Sequence, residues 1–278
     1  GGVAGGMSTA TRLRRLKEDA EIIVFEQGPH VSYANCGLPY HIGEVIEQEQ
    51  SLLLQTPESL HARFNLDVRV NSRVTKIDRA NKQVTVSNLL DNTEYQESYD
   101  QLVLSTGAKP RRVPIPGLER ALVLRDVQDA VKIKALVDNK QIKSAAIIGA
   151  GFIGVELAEN LQHREIKTTI VEFRGNILPQ FDPEMIEPMQ KVLIENGIEL
   201  ALSAETETVN ESTLTLKDGR VIDADLVVAA IGVVADHKLA VDAGLEIGEA
   251  GGIVVDDQMR TSDPNVFAVG DAAQKVSA

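Results

Sequence analysis

The stretch from Ala145 to Glu172 constrains the fold of this chain more than any other. Ala145-Ala146-Ile147-Ile148 is an apolar run of strand character, and Gly149-Ala150-Gly151-Phe152-Ile153-Gly154 is a complete G-x-G-x-x-G. Val155 to His163 has the pattern of a helix, and Thr168-Thr169-Ile170-Val171 is a second strand run that ends on Glu172. Strand, glycine turn, helix, strand and terminal acid in this order make the βαβ unit of a dinucleotide-binding fold. The glycines let phosphates approach the backbone where a helix begins, and the unpaired amides there favour an anion. Glu172 is placed to accept hydrogen bonds from the adenosine ribose, and its charge would repel a 2′-phosphate. The reading is therefore NADH, with NADPH less favoured; Arg174, two residues on, is a guanidinium that could receive that phosphate. Gly149, Gly151, Phe152, Ile153, Gly154 and Glu172 are the candidate NAD-binding residues, joined by Gly232 at the end of the buried run Leu226 to Ile231.

A second, less complete fingerprint opens the chain. Gly1-Gly2-Val3-Ala4-Gly5-Gly6 precedes an amphipathic stretch from Met7 to Leu16, and Glu21 to Phe25 reads as a buried strand that ends in Glu26. Gly1, Val3 and Gly6 occupy the three fingerprint positions, so the middle glycine is replaced, and no strand precedes the loop. A domain that starts on its phosphate loop is expected to be a fragment, or to begin where order begins. The length of 278 residues suggests about two domains. Residues 37 to 65 read as mainly helical, with Thr56-Pro57-Glu58 as a helix start. Val68 to Val70, Val74 to Ile77, Gln83 to Val86 and Glu94 to Tyr99 read as one antiparallel meander. Leu102 to Leu104 is a buried strand running into Ser105-Thr106-Gly107, and Pro110, Pro114 and Pro116 mark a boundary. Asp126 to Lys140 and Met185 to Asn196 read as helices, and Lys217-Asp218-Gly219-Arg220 as a hairpin turn. Val266 to Ala273 reads as a strand, a glycine turn at Gly270, Asp271 and the start of a helix.

Between the first fingerprint and the meander lies Ser32-Tyr33-Ala34-Asn35-Cys36-Gly37-Leu38-Pro39-Tyr40, which holds the one cysteine of the chain. A thiol just before a helix, here a segment from Leu38 to Ile46, meets unpaired amides that favour the thiolate. One cysteine excludes an internal disulfide and a cysteine-rich zinc site, and no metal site is expected. A net charge of −13 argues against nucleic acid or an anionic membrane as partner. No apolar run of about 18 residues suggests a membrane span, and a cytoplasmic protein is the simplest reading.

Gly1 to Glu26, Ser105 to Gly107, Gly149 to Glu172, Ala230 to Gly232 and Thr261 to Asp271 stand in the order seen in FAD-dependent pyridine nucleotide-disulfide oxidoreductases. The Ser32 to Tyr40 stretch resembles the single-cysteine branch of that family, which holds coenzyme A-disulfide reductases, NADH-dependent persulfide reductases, and NADH oxidases and peroxidases. The resemblance implies an α/β fold of two Rossmann-like, three-layer (ββα) nucleotide-binding domains, with the NAD(P)H-binding domain (113–235) inserted into the FAD-binding domain (1–112 and 236–278). It implies that FAD is held by Gly1, Val3, Ala4, Gly5, Gly6, Glu26, Gln27, Asn35, Ser105, Thr106, Gly107, Gly270 and Asp271. It assigns coenzyme A contacts to Ser8, Arg12, Arg15, Ser32 and Asn35, and the catalytic thiol to Cys36.

The activity so implied passes electrons from NAD(P)H through FAD to Cys36 and on to a coenzyme A disulfide, persulfide or polysulfide. An NADH oxidase or peroxidase with a Cys36 sulfenic acid is the alternative, and an inactive nucleotide-binding fragment is an alternative of another class. The resemblance further implies a homodimer in the full-length protein, through a C-terminal domain beyond Ala278, and weakened FAD retention and activity without it. Arg12, Arg14 and Arg15 form the basic cluster of the first helix in an otherwise acidic chain, and His30 and His41 flank the cysteine loop without an assigned role.

Overall fold

Ser144–Ile148, Lys167–Val171 and Leu226–Ala229 are almost continuously buried, as strands covered on both faces must be. In the computed structural model, which describes residues 1–139 and 141–275, they form one parallel sheet together with Glu199–Ala201. The strand order is Glu199–Ala201, Lys167–Val171, Ser144–Ile148, Leu226–Ala229. Ile147, Ile170 and Val228 are fully buried in this sheet. Thr206–Val209, Thr213–Leu216 and Val221–Asp223 form an antiparallel sheet, and its Val209, Leu214 and Leu216 share one apolar core with Ile148, Val171 and Val227. The helices Val127–Asp138, Phe152–His163 and Pro183–Glu195 complete this unit. Parallel sheet, antiparallel sheet and helices give the α/β fold class read from sequence.

The chain divides into two units, and the one just described comprises 34–52 and 110–233. The other is built from 1–33, 53–109 and the residues from 234 on. It carries three parallel strand pairs: Ile23–Phe25 with Asp67–Arg69, Leu102–Leu104 with Val266–Ala268, and Ile253–Val255 with Ala273–Lys275. Beside them, Ser72–Asp78, Gln83–Asn88 and Glu94–Ser98 form an antiparallel sheet. Met7 and Ala10 of the helix Ala4–Leu16 are buried with Val24, Val31, Leu60 and Leu66. Among the described residues no helix is long and apolar enough to cross a membrane.

Three local readings are corrected. The strand at Val68 is not part of the meander: Val24 pairs with Val68 in parallel, and only three strands make the antiparallel sheet. Residues 37 to 65 hold short pieces instead of long helix: Leu38–Ile42 and Pro57–Phe64 are α-helical, with single 3₁₀ turns at Asn35–Gly37 and Glu49–Leu52. Gly43 follows the first piece and Glu44 takes φ 62°, which no continuing helix can use. After Val269, Gly270–Ala272 is one 3₁₀ turn, and Ala273–Lys275 is a strand where a helix start was expected. Thr56 does cap Pro57–Phe64, through a reciprocal pair of bonds with Ser59. The helix expected from Asp126 to Lys140 spans Val127–Asp138 with Asp126 as its cap, and Lys140 lies outside the described residues.

Candidate nucleotide and thiol sites

The two glycine loops are built alike, each within its own unit. In the first, the Gly2 amide donates to Glu26 Oε2 at 2.7 Å and the Gly28 amide to Oε1 at 2.7 Å. In the second, the Ala150 amide donates to Glu172 Oε2 at 2.8 Å and the Arg174 amide to Oε1 at 2.9 Å. Each acid thus ties its strand end to its glycine loop. A carboxylate offers about four acceptor positions, so two remain on each for a hydroxyl donor.

The third glycine of each loop is required by close approach. A Cβ on Gly6 would lie 1.8 Å from the Gly1 carbonyl oxygen, and one on Gly154 would lie 2.1 Å from that of Gly149. The middle position differs in kind. A Cβ on Gly151 meets no atom beyond its own chain neighbours within 4 Å, so the surrounding protein leaves that position free. Val3 at the matching place in the first loop is therefore compatible with the protein's own packing.

Both helices that follow these loops begin without a side-chain cap and without an acidic residue in the first turn. Val127–Asp138 and Pro57–Phe64, by contrast, are capped by Asp126 and Thr56. Uncapped amides at the starts of Ala4–Leu16 and Phe152–His163 suit an anion such as a pyrophosphate. Around the first loop the structure gathers several of the residues expected to hold FAD. Ser105 Oγ donates to the Gly1 carbonyl at 3.0 Å, and a Cβ on Gly5 would lie 3.5 Å from Gly270. Thr106 Oγ1 donates to the Asp236 carbonyl at 2.6 Å, and the Asp236 amide to the Gly107 carbonyl at 2.9 Å. Val3 stands at the N-cap position and Ala4 opens the helix. Gln27 is exposed and accepts from Arg73, while Asp271 is exposed within its 3₁₀ turn.

Around the second loop, Gly149 faces Ala230, and Gly232 accepts at its carbonyl from the Arg111 amide at 2.9 Å. Phe152 and Ile153 are exposed, and Phe152 meets Phe181 edge-on with centroids 5.8 Å apart. Arg174 lies over the Phe173 ring at 5.2 Å.

Cys36 is exposed and sits in the 3₁₀ turn Asn35–Gly37, directly ahead of Leu38–Ile42. Glu156 first, then burial, Glu159 and Cys36 itself, hold the Tyr40 phenol above its ordinary pKa. Tyr40 is therefore a hydrogen-bond donor and not a base at neutral pH. Burial, with Glu159 adding to it, raises the Glu156 carboxyl. His41 is buried and its Nδ1 contacts the Ile46 carbonyl at 2.7 Å, a structural role. Among the described residues no group of three His, Cys, Asp or Glu is arranged to hold a metal.

The basic cluster of the first helix separates into two kinds of arginine. Ser8, Arg12 and Arg15 are exposed and spaced i, i+4, i+7 on one face. Arg15 also lies over the Phe64 ring at 5.9 Å. Arg14 is a structural residue: it donates to the carbonyls of Phe64 at 2.8 Å, Glu18 at 2.5 Å and Asn65 at 2.9 Å. Two of these lie at the C-terminus of Pro57–Phe64, where carbonyls lack intrahelical donors. Ser32, at φ 46°, donates its amide to the Gly2 carbonyl at 2.9 Å, and Asn35 opens the turn that carries Cys36.

The chain belongs to the pyridine nucleotide-disulphide oxidoreductases, whose family model matches residues 1–278. A coenzyme A disulfide reductase of Staphylococcus aureus strain JH9 is 33% identical over 273 residues, 98% of this chain and 62% of that relative. Reduced Bacillus anthracis CoADR-RHD superposes with a TM-score of 0.96 at 46% identity, over 98% of this chain and 50% of that one. A NAD-dependent persulfide reductase from A. fulgidus superposes with a TM-score of 0.93 at 36% identity, over 98% of this chain and 52% of that one. The chain thus spans 62% of the curated relative and about half of each of the two solved ones.

Proposed function

We propose that this chain forms the nucleotide-binding and thiol-bearing part of a flavoprotein that takes electrons from NADH and delivers them to a disulfide or persulfide at Cys36. The observation that carries the reading is the repeated loop geometry, an uncapped helix start paired with a backbone-anchored acid, in a chain with one exposed cysteine at the start of a helical run. The names of the relatives support the same class of chemistry and favour a coenzyme A disulfide as substrate, with a persulfide or polysulfide as the other sulfur substrate.

FAD fits the first loop. Its pyrophosphate would meet the amides of Ala4, Gly5 and Gly6, and Glu26 would take a ribose hydroxyl on its free lone pairs. Ser105, Thr106, Gly107, Gly270 and Asp271 would complete that site. When bound, FAD would supply a two-electron relay between NADH and sulfur. NADH would use the room at Gly151, the amides of Phe152 to Gly154, and Glu172.

Cys36 would act as the nucleophile. Its thiolate attacks one sulfur of coenzyme A disulfide, forms a Cys36–S–CoA bond and releases the other half as a thiolate that takes up a proton. With a persulfide, the attack transfers the outer sulfur to Cys36 and releases the parent thiol. Over the cycle one NADH and one proton reduce one disulfide to two thiols. Arg12 and Arg15 would hold the phosphates of coenzyme A by charge-assisted bonds, with Ser8, Ser32 and Asn35 adding neutral ones.

The test is titration of the protein with FAD, followed by anaerobic NADH and then disulfide. The expected result is a yellow protein bleached by NADH, whose colour returns on adding coenzyme A disulfide, and a Cys36→Ser variant that bleaches but does not recover. A wild-type protein that cannot take up FAD would overturn the reading, as would a Cys36→Ser variant that recovers like wild type. Recovery by peroxide alone would favour an oxidase or peroxidase.

A further inference from the structure

The segment that carries Cys36 is fastened to the second unit by charge. Ala34 to Leu52 leaves the first unit at Tyr33 and returns at Leu53, where Tyr33 and Leu53 form an antiparallel bridge. Within the second unit, the helix Leu38–Ile42, which follows the Cys36 turn Asn35–Gly37 in one helical run, packs on the helices Val127–Asp138 and Phe152–His163. The packing is close: a Cβ on Gly43 would lie 2.1 Å from Asn160 Oδ1, and Asn160 is itself buried.

Arg164, which ends the helix Phe152–His163, reaches the C-terminus of this run. Its Nη1 donates to the Ile42 carbonyl at 3.0 Å, and its Nη2 donates to Asp138 at 2.8 Å. Its Nε lies 3.6 Å from Glu44, which also meets Lys134 at 3.3 Å; Lys134 in turn meets Asp138 at 2.8 Å. The Arg164 and Lys134 side chains are only 17% and 14% exposed, while Glu44 and Asp138 are 52% and 42% exposed, so the cations are held in the packing and water reaches the carboxylates. The run has the thiol in its first turn and a guanidinium on its last carbonyl, which a C-terminus favours.

We propose that Arg164 is a positioning residue for Cys36: by binding the Ile42 carbonyl, Glu44 and Asp138 together it holds the helical run whose first turn presents the thiol. The inference deepens the reading of Cys36 as the redox thiol and rests on it. It assigns no chemistry to Arg164, which acts through the backbone from Ile42 back to Asn35. Glu44 is the other half of the device, because its left-handed backbone turns the chain where the run ends and its carboxylate joins both cations.

The test compares the wild-type protein with Arg164→Ala, Arg164→Lys and Glu44→Gln, using amide hydrogen exchange and alkylation of Cys36 by iodoacetamide. In Arg164→Ala, amides of Leu38 to Ile46 are expected to exchange about tenfold faster or more, as loss of a charged hydrogen bond implies. Protection of Ser144–Ile148 and Lys167–Val171 should stay near wild type. Alkylation of Cys36 is expected to change by about threefold or more, because the turn that presents the thiol is no longer held in place. Glu44→Gln should move both readouts the same way, and Arg164→Lys should restore part of each. Exchange and alkylation within about twofold of wild type in Arg164→Ala would overturn the proposal. Loss of protection spread evenly over the unit would overturn it too. Both readouts are taken without nucleotide or disulfide, so failure of the functional reading is seen separately, as a wild-type protein without NADH-dependent disulfide reduction.

Discussion

Two alanine substitutions in one loop should have different signatures. In Gly154→Ala the new Cβ lies 2.1 Å from the Gly149 carbonyl oxygen and 3.1 Å from its carbon, against an ordinary contact of 3.4–4 Å. The helix start must move away from the loop by about an ångström, in an interior that does not yield easily. Overpacking of this kind costs about 1–3 kcal/mol, which lowers the melting temperature by roughly 3–9 °C in a domain of this size. The same movement displaces the helix amides, so NADH affinity should fall by about tenfold or more. Gly151→Ala is the contrast. Gly151 has φ −76° and ψ −175°, backbone that alanine adopts freely, and its Cβ would meet no atom beyond its own chain neighbours. Melting should stay within about 2 °C of wild type. The methyl fills the room proposed for the nucleotide, so NADH affinity should again fall about tenfold. Circular dichroism melts and titration calorimetry with NADH measure the two quantities. Wild-type NADH affinity in Gly151→Ala would refute the use of that room by the ligand, and an unchanged melt in Gly154→Ala would refute the packing argument.

The arginines of the first helix give a second contrast. Arg14→Ala removes bonds to three carbonyls and should cost about 2 kcal/mol in a denaturant melt, with little change in the KM for disulfide. Arg12→Ala combined with Arg15→Ala should raise the KM for coenzyme A disulfide about tenfold, with only the small loss of stability (about 0.5–1 kcal/mol) that the Arg15–Phe64 contact implies, while turnover of peroxide is unaffected. The strand Ser144–Ile148 is anchored by Asp225, whose carboxylate is held below its ordinary pKa by the Lys143 amide, against the opposing effect of burial, and by Ser144. A depressed carboxylate adds stability above its unfolded pKa and loses it as pH falls through the folded value. The stability difference between wild type and Asp225→Asn should therefore be constant at neutral pH and shrink below about pH 3.8, as thermal melts across an acid series would record.

The parts of the fold that can be read from sequence are those in which local pattern and tertiary role coincide. Ala145 to Glu172 is one, because buried strands, a glycine loop and a helix of fixed length admit one arrangement. The strand at Val68 departs from its expected place in the meander because alternation tells which face is buried and not which strand lies alongside; its partner Val24 is remote in sequence. Arg14 looked like its neighbours because the carbonyls it binds belong to Phe64 and Asn65, about 50 residues on. The stretch around Cys36 follows the same rule. Its residue types single it out, but its attachment to the second unit depends on Asn160, Arg164, Lys134 and Asp138, which nothing within Ala34 to Leu52 announces.

Cys36 is proposed to carry electrons to a sulfur brought in from outside the chain. Mass spectrometry of the non-reduced protein after incubation with coenzyme A disulfide tests it directly. One coenzyme A is expected on the peptide containing Cys36, none on Cys36→Ser, and release of the adduct when FAD and NADH are supplied. An unmodified Cys36 in protein that still reduces the disulfide, or a Cys36 bearing only an added oxygen, would contradict it.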